Sequence, residues 1–228
     1  MTATVVVRKA VEADAEGLAG VLCRALQAAY LGTTEPEDVP ASRRRLAVLS
    51  PAELVDGARD VLAGSDASDW TVVAELDRVI VGFQRLRTHP IGSTPDDGEI
   101  ASLYVDPTAW SAGSGGRLLE EGLRQLAAAG CQRAWLWVAA ENARARRFYA
   151  KHGFAPDGAE DTARLEPWGV DLGFDLDLVR LARGLTPAGR PARSVSGERD
   201  PDGSTAGGAP PARFEPSGSI PRPPPRQR

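Results

Sequence analysis

Thiols are scarce in this chain: its 228 residues include two cysteines, Cys23 and Cys131. Neither stands in a Cys-x-x-Cys or other metal-ligand spacing, so neither a zinc site nor a disulfide scaffold is indicated, and the pair could make at most one bridge. We expect both to be reduced and largely buried, and we expect no metal. Histidine is equally rare, with only His89 and His152. His89 precedes a proline and reads as a loop residue; His152 falls in the last turn of a helix, where partial positive charge is favourable. Long hydrophobic runs are missing too. No stretch is long enough to span a bilayer, and residues 1–8 have neither the charged opening nor the longer apolar core of a signal peptide. The expectation is a cytoplasmic protein that makes no membrane contact. A net charge of −4 supplies no overall field for nucleic acid, and none is expected as a partner.

What is present is enough for a core. With 42% hydrophobic and 25% charged residues, a single domain plus an extra segment is the natural prior. Val5 to Val7 form a β-branched run suited to a strand, and Leu18, Val21, Leu22, Ala25, Leu26 and Ala29 share one face of a following helix. Ser50-Pro51-Ala52-Glu53 combines a capping serine, proline at the first helical position and glutamate three residues after the cap, so a helix should run to about Leu62. Residues 70–76 and 79–86 are apolar runs separated by Asp77-Arg78, which predicts a hairpin. Residues 88–98 read as a loop before a strand over 99–105.

After that strand come Gly113-Ser114-Gly115-Gly116, then leucines 118, 119, 123 and 126 at helical spacing, with Gly130 as the stop. A strand over 134–138 and a helix over 142–152 follow. Val170, Leu172, Phe174, Leu176 and Leu178 alternate as in a half-buried strand, and 157–169 reads as a loop. A hairpin followed by strands alternating with helices implies a mixed sheet. From Gly184 onward the chain is dense in Pro, Gly, Ser and Arg, and we expect 184–228 to be disordered. Its end, Pro221-Arg222-Pro223-Pro224-Pro225-Arg226, suits either a solvated tail or a polyproline-type ligand for a docking partner.

Glycines between a strand and a helix let backbone approach an anion, while the first helical amides point at it. Two phosphate-binding patterns fail on the residues themselves. No Gly-Lys-Ser/Thr follows, and the position three after Gly115 is Leu118 rather than the Gly or Ala of a dinucleotide fingerprint. Asn142 and Tyr149 are seven residues apart, about two turns, and so share a helix face.

The order Leu103-Tyr104-Val105-Asp106-Pro107, the glycine loop, and Asn142-Ala143-Arg144-Ala145-Arg146-Arg147-Phe148-Tyr149 continuing to Gly153-Phe154 resembles the two cofactor-binding motifs of the GCN5-related N-acetyltransferases. The resemblance implies an α/β fold over residues 1–183 with a mixed, mostly antiparallel central sheet flanked by helices. It implies acetyl-CoA as co-substrate and an amine as acceptor, with direct attack in a ternary complex. The pyrophosphate would sit on the amides of Ser111, Ala112, Gly113, Ser114, Gly115 and Gly116, with Arg117 and Asn142 beside it. The pantetheine arm would lie along Leu103 and Val105, where strand 99–105 parts from strand 134–138.

By the same resemblance the Leu103 amide would stabilise the thioester oxyanion, and the Tyr149 phenol would protonate the leaving thiolate. Glu99 stands where some members carry a base; an ordinary strand-end charge is the other reading. Asn142 doubles as a helix cap, and Trp135 and Trp137 read as core or as a substrate wall. Trp110, Ser111 and Ser114 depart from the family pattern. A non-catalytic acyl-CoA sensor stays open as the rival function, and homodimerisation stays open too.

Overall fold

The structure is a computed structural model; it describes residues 4–32, 34, 38–90 and 93–185, with Ser111 known only in its main chain. The expected tail from 186 onward lies outside the described residues. Seven strands form one sheet in the order β1-β2-β3-β4-β5-β7-β6. Their bounds are β1 Val6–Lys9, β2 Asp69–Leu76, β3 Val79–Thr88, β4 Asp97–Val105, β5 Arg133–Ala139, β6 Ala155–Arg164 and β7 Asp175–Gly184. Every neighbouring pair is antiparallel except β4 with β5.

The helices are α1 Ala15–Tyr30, α2 Arg44–Ala47, α3 Val55–Ala63, α4 Ser114–Ala128 and α5 Ala143–Lys151. Two apolar clusters divide them between the faces of the sheet. Leu118, Leu119 and Leu126 of α4 and Tyr149 of α5 pack with Val72, Leu86 and Leu136. Leu18, Leu22 and Leu26 of α1 and Ala58 of α3 pack with Val73 and Phe83. Alternate residues of β2 and β3 thus serve opposite faces, and each fully buried leucine or phenylalanine contributes roughly 1.5–3 kcal/mol. Cys23 and Cys131 are free thiols buried in different clusters. No described helix is long and apolar enough to cross a membrane.

Local chemistry accounts for most boundaries. Asp77 and Arg78 both take positive φ, 51° and 66°, the primed turn that matches strand twist, and Leu76 pairs Val79 across it. Ser50 N–H donates to Glu53 Oε1 at 2.9 Å, closing the expected helix start, although the first turn, Pro51–Leu54, is a 3-10 turn.

Two expectations need correction at the far edge of the sheet. Residues 155–164, most of them assigned to a loop, form strand β6, and the alternation from Val170 becomes strand only from Asp175. Seven of the ten β6 residues are exposed and none carries a large aliphatic or aromatic side chain, so it shows no period-2 signal. It is an edge strand held by its ladder to β7 and by Asp157, which bridges Arg133 and Arg180. Leu172 and Phe174 are buried without being in a strand, which produced the misleading alternation. The last strand also runs to Gly184, and the Leu185 amide donates to the Gln132 carbonyl at 2.8 Å, beyond the expected domain limit of 183.

Candidate functional site

The site begins with a fault in the sheet. Strand β4 pairs β5 only from Asp97 to Glu99, whereas β5 continues against β7 as far as Ala139. On its other side β4 stays paired to β3, with a bulge where Arg85 faces Ser102 and Leu86 faces Ile100, leaving Ala101 as the extra residue. A bulge bends its strand. It lies where β4 leaves β5, so residues 100–105 face a cleft on that side, the parting expected from the motif resemblance.

Two cavities occupy the cleft. A groove of about 700 Å³ is lined by Leu103, Tyr104 and Val105 of β4, Gly113, Gly115 and Gly116 at the start of α4, and residues of α1 and α5. A smaller chamber of about 160 Å³ is lined by Glu99 and further β4 residues, by Trp137 of β5 and by Trp168 of the turn Pro167–Gly169. Both cavities share Tyr30, Leu103, Tyr104, Asn142, Ala145 and Tyr149.

The groove has the makings of an anion site. Gly113 takes φ +75° as the N-cap of α4, a left-handed conformation natural to glycine, and no side chain caps the helix. The first internal bond of α4 runs from the Arg117 amide to the Gly113 carbonyl, so earlier amides have no partner inside the helix. Arg144, Arg147, Lys151 and His152 of α5 and its C-cap also line the groove, which gives it positive charge from two sources. Pyrophosphate-bearing coenzyme A fits such a surface.

The predicted binding residues divide. Leu103, Val105, Gly113, Gly115, Gly116 and Asn142 line the groove, and Ala112, Ser114 and Arg117 do not. Ser111 and Ala112 belong to the 3-10 turn Pro107–Ala112, and the Ser114 side chain is buried. The Arg117 side chain is engaged elsewhere: its Nη1 donates to the Val5 carbonyl at 2.9 Å. Asn142 is the helix cap, its Oδ1 accepting from the Ala145 amide at 3.0 Å. Of the three arginines in this motif, Arg144 and Arg147 line the groove and Arg146 donates to the Ala140 carbonyl.

Trp110 explains its own departure from the motif. Its indole N–H donates to the Val105 carbonyl at 2.9 Å, and the Arg144 guanidinium lies 3.6 Å from its ring centroid. The ring ties α5 to the end of β4 and fixes Arg144 at the groove.

Tyr149 is 7% exposed, with Phe148 and Phe154 edge-on to its ring at 5.2 and 5.7 Å. Its hydroxyl makes no hydrogen bond among the described residues, and burial pushes the phenol above its ordinary pKa, so it stays protonated at neutral pH. Tyr104 is likewise pushed up to about 12 by burial. Glu99 is 5% exposed; Arg87 Nη1 donates to its Oε2 at 3.3 Å. Burial raises the Glu99 pKa, and neighbouring Arg87 opposes the shift without cancelling it. Arg87 is held in turn by Asp69 at 3.0 Å, which also takes both ends of the Arg85 guanidinium.

A model of the Acetyltransferase (GNAT) family matches residues 39–154, just over half of the chain. The chain belongs to this family. An uncharacterised N-acetyltransferase of Mycobacterium tuberculosis is 32% identical over 149 residues, covering 64% of this chain and 85% of that one. A mycothiol acetyltransferase of Saccharopolyspora erythraea is 31% identical over 149 residues, 63% of this chain but 46% of that protein. Among solved structures, the PaiA N-acetyltransferase of Thermoplasma acidophilum in complex with coenzyme A aligns with a TM-score of 0.54 at 20% identity, covering 79% of this chain and 99% of that one. YncA of Salmonella typhimurium, solved with its cofactor acetyl-CoA, gives 0.55 at 18% identity, covering 83% and 98%. At such identities the structures establish the GNAT fold and no more.

The motif reading gave no site role to Arg87 or to Tyr104 as a wall residue, and it reached Tyr30 and Trp168 only as members of the variable segments 30–51 and 157–169 expected on the substrate side. Tyr104 lies in the strand motif without an assigned role, and the other three lie in no recognisable pattern. The signal that was present is compositional: the chain has only five tryptophans, and Trp168 sits between Pro167 and Gly169 in a stretch read as a loop.

Proposed function

We propose that this chain transfers an acetyl group from acetyl-CoA to a primary amine by direct attack. The observation that carries the proposal is the meeting of the two cavities at Leu103 and Tyr149, with an anion-ready groove on one side and the buried carboxylate of Glu99 on the other. Acetyl-CoA supplies an activated thioester; the chain supplies position and proton transfer. Glu99 takes a proton from the incoming ammonium, freeing a lone pair to bond the acetyl carbonyl carbon. The Leu103 amide holds the carbonyl oxygen as charge develops there. Tyr149 gives its proton to sulfur as the carbon–sulfur bond breaks, and recovers one from the nitrogen, so that one proton in total leaves through Glu99. A raised carboxylate pKa suits this task because such a base is closer in strength to the amine it serves.

A covalent acetyl-enzyme has little support, because Cys23 and Cys131 line neither cavity and burial raises both thiol pKa values, disfavouring the thiolate. The acceptor named for the mycothiol acetyltransferases does not carry over, since the chain spans under half the length of the Saccharopolyspora erythraea protein.

The test is a thermal-shift series with acetyl-CoA, NAD and ATP, followed by acetyl-CoA-dependent thiol release over amine, amino-acid, aminoglycoside and peptide pools. Acetyl-CoA at about one hundred times its Kd should add roughly 2.7 kcal/mol of stability, and the other two nucleotides nothing comparable. Equal shifts from all three would overturn the cofactor assignment. Acetyl-CoA binding without turnover of any amine would favour a sensor.

A further inference from the structure

The smaller chamber has a composition that the family motifs do not dictate. Its walls carry five aromatic side chains drawn from five separate elements: Tyr30 of α1, Tyr104 of β4, Trp137 of β5, Tyr149 of α5 and Trp168. Phe83, buried behind them, braces two, with ring centroids 5.5 Å from Tyr104 and 5.6 Å from Trp168.

Trp168 is held there at a cost. It takes φ 50° and ψ 40°, left-handed backbone that a bulky side chain seldom adopts. Helix α3 makes room for it: a Cβ on Gly57 would stand 2.5 Å from the Trp168 Cβ and 2.7 Å from its carbonyl oxygen. A glycine inside a helix and a strained tryptophan are two independent concessions to one placement, an indole at the chamber wall.

Charge in the chamber is one-sided. Glu99 and Glu166 line it, and the one cation among its described lining residues is Arg164, which pairs with Asp171 at 2.8 Å and Asp175 at 3.5 Å. Behind the wall, Arg87 is engaged by Asp69 and Glu99. An incoming carboxylate would therefore meet Glu99 with no uncommitted counter-charge, whereas an ammonium would meet a carboxylate and aromatic faces that attract cations. The volume is also restrictive, since an apolar cavity of roughly 150 Å³ holds about one benzene ring.

We propose that the acceptor is a primary amine borne on a compact apolar body, about one ring or short branched chain in size, with no carboxylate beside the amine. This rests on the acetyltransferase reading and names its substrate class.

The experiment uses phenethylamine as probe, with phenylalanine as the same skeleton plus a carboxylate, spermidine as a polycation and an alanine-initiated peptide. Calorimetric titration without acetyl-CoA reads binding directly; thiol release with acetyl-CoA reads kcat/KM. Phenethylamine should bind saturably and exceed phenylalanine in kcat/KM by about a hundredfold or more, since the carboxylate would be buried unpaired. Trp168→Gly, which suits the left-handed backbone and so should fold, should weaken phenethylamine binding about tenfold and leave the thermal shift with acetyl-CoA unchanged. Equal or better binding of phenylalanine, spermidine or the peptide would overturn the proposal, as would parental phenethylamine binding by Trp168→Gly. Turnover of peptide or amino acid alone would overturn it while leaving the acetyltransferase reading intact. Loss of acetyl-CoA binding in the parent would strike that reading instead, and the calorimetric arm would still decide the chamber's preference.

Discussion

The groove and the chamber share six residues and one cleft, yet they are built in different ways. The groove depends on main chain: a strand edge freed from its neighbour, and helix amides left uncapped behind Gly113. Its side chains come largely from one stretch of about fifty residues. The chamber depends on side chains brought together from α1, β4, β5 and the turn before β7, spread over most of the domain. Backbone sites need glycine and a fixed order of elements, so they leave a pattern in sequence. A side-chain chamber needs only that distant residues converge, and leaves none.

The comparison can be broken first at the chamber. Glu99→Gln keeps size and an acceptor for Arg87 but removes the proposed base, so the maximal rate should fall by about 10² to 10⁴ with acetyl-CoA binding intact. In the parent, kcat/KM should rise with pH through a midpoint above the usual glutamate range, because burial raises this group and only its ionised form can take a proton. The variant should lose that rising limb. A profile that keeps the limb assigns it to another group.

At the groove the effect should be on binding alone. A Cβ on Gly115 would lie 3.5 Å from Phe148 Cε2 and Val105 Cγ2, ordinary contact distances, so Gly115→Ala should be tolerated. Gly115→Val would push methyl groups over the first-turn amides and weaken acetyl-CoA by roughly tenfold or more, about 1.4 kcal/mol. Calorimetry on both variants separates lost approach from lost helix. A smaller loss is expected from Trp110→Phe, which frees the Val105 carbonyl and weakens the stack on Arg144: about two- to fivefold in acetyl-CoA Kd, more evident at low salt. Least of all, removing residues 186–228 should leave melting temperature and turnover unchanged within error, provided Leu185 is kept to pair with Gln132.

How much was legible in the sequence follows the same division. The hairpin at Asp77-Arg78, the helix start at Ser50, the cap at Asn142 and the glycine turn at Gly113 each rest on local backbone chemistry, and each is found in place. Strand β6 was not legible because an exposed edge strand has little apolar pattern to display, and the start of β7 was misplaced because Leu172 and Phe174 bury side chains from an irregular segment. In the site, Leu103, Glu99, Asn142 and Tyr149 converge on the cleft as their motif positions imply, while Arg117 turns toward Val5 because its side chain, unlike the loop's amides, is free to choose a partner. Arg87 and Trp168 matter through contacts 12 residues and more than a hundred residues distant in sequence, with Glu99 and Gly57, and no window on the chain joins them.

The central claim is that groove and chamber meet at a hydroxyl needed only in the transition state. Tyr149→Phe tests it directly, since the ring and its packing against Phe148 and Phe154 remain while the proposed proton donor is lost. Acetyl-CoA should bind with parental affinity, and the maximal rate with a genuine amine acceptor, measured in the same preparation, should fall by about 10² to 10⁴. A rate within a few-fold of the parent would contradict the account, leaving Tyr149 as a packing residue and the thiolate to take its proton from elsewhere.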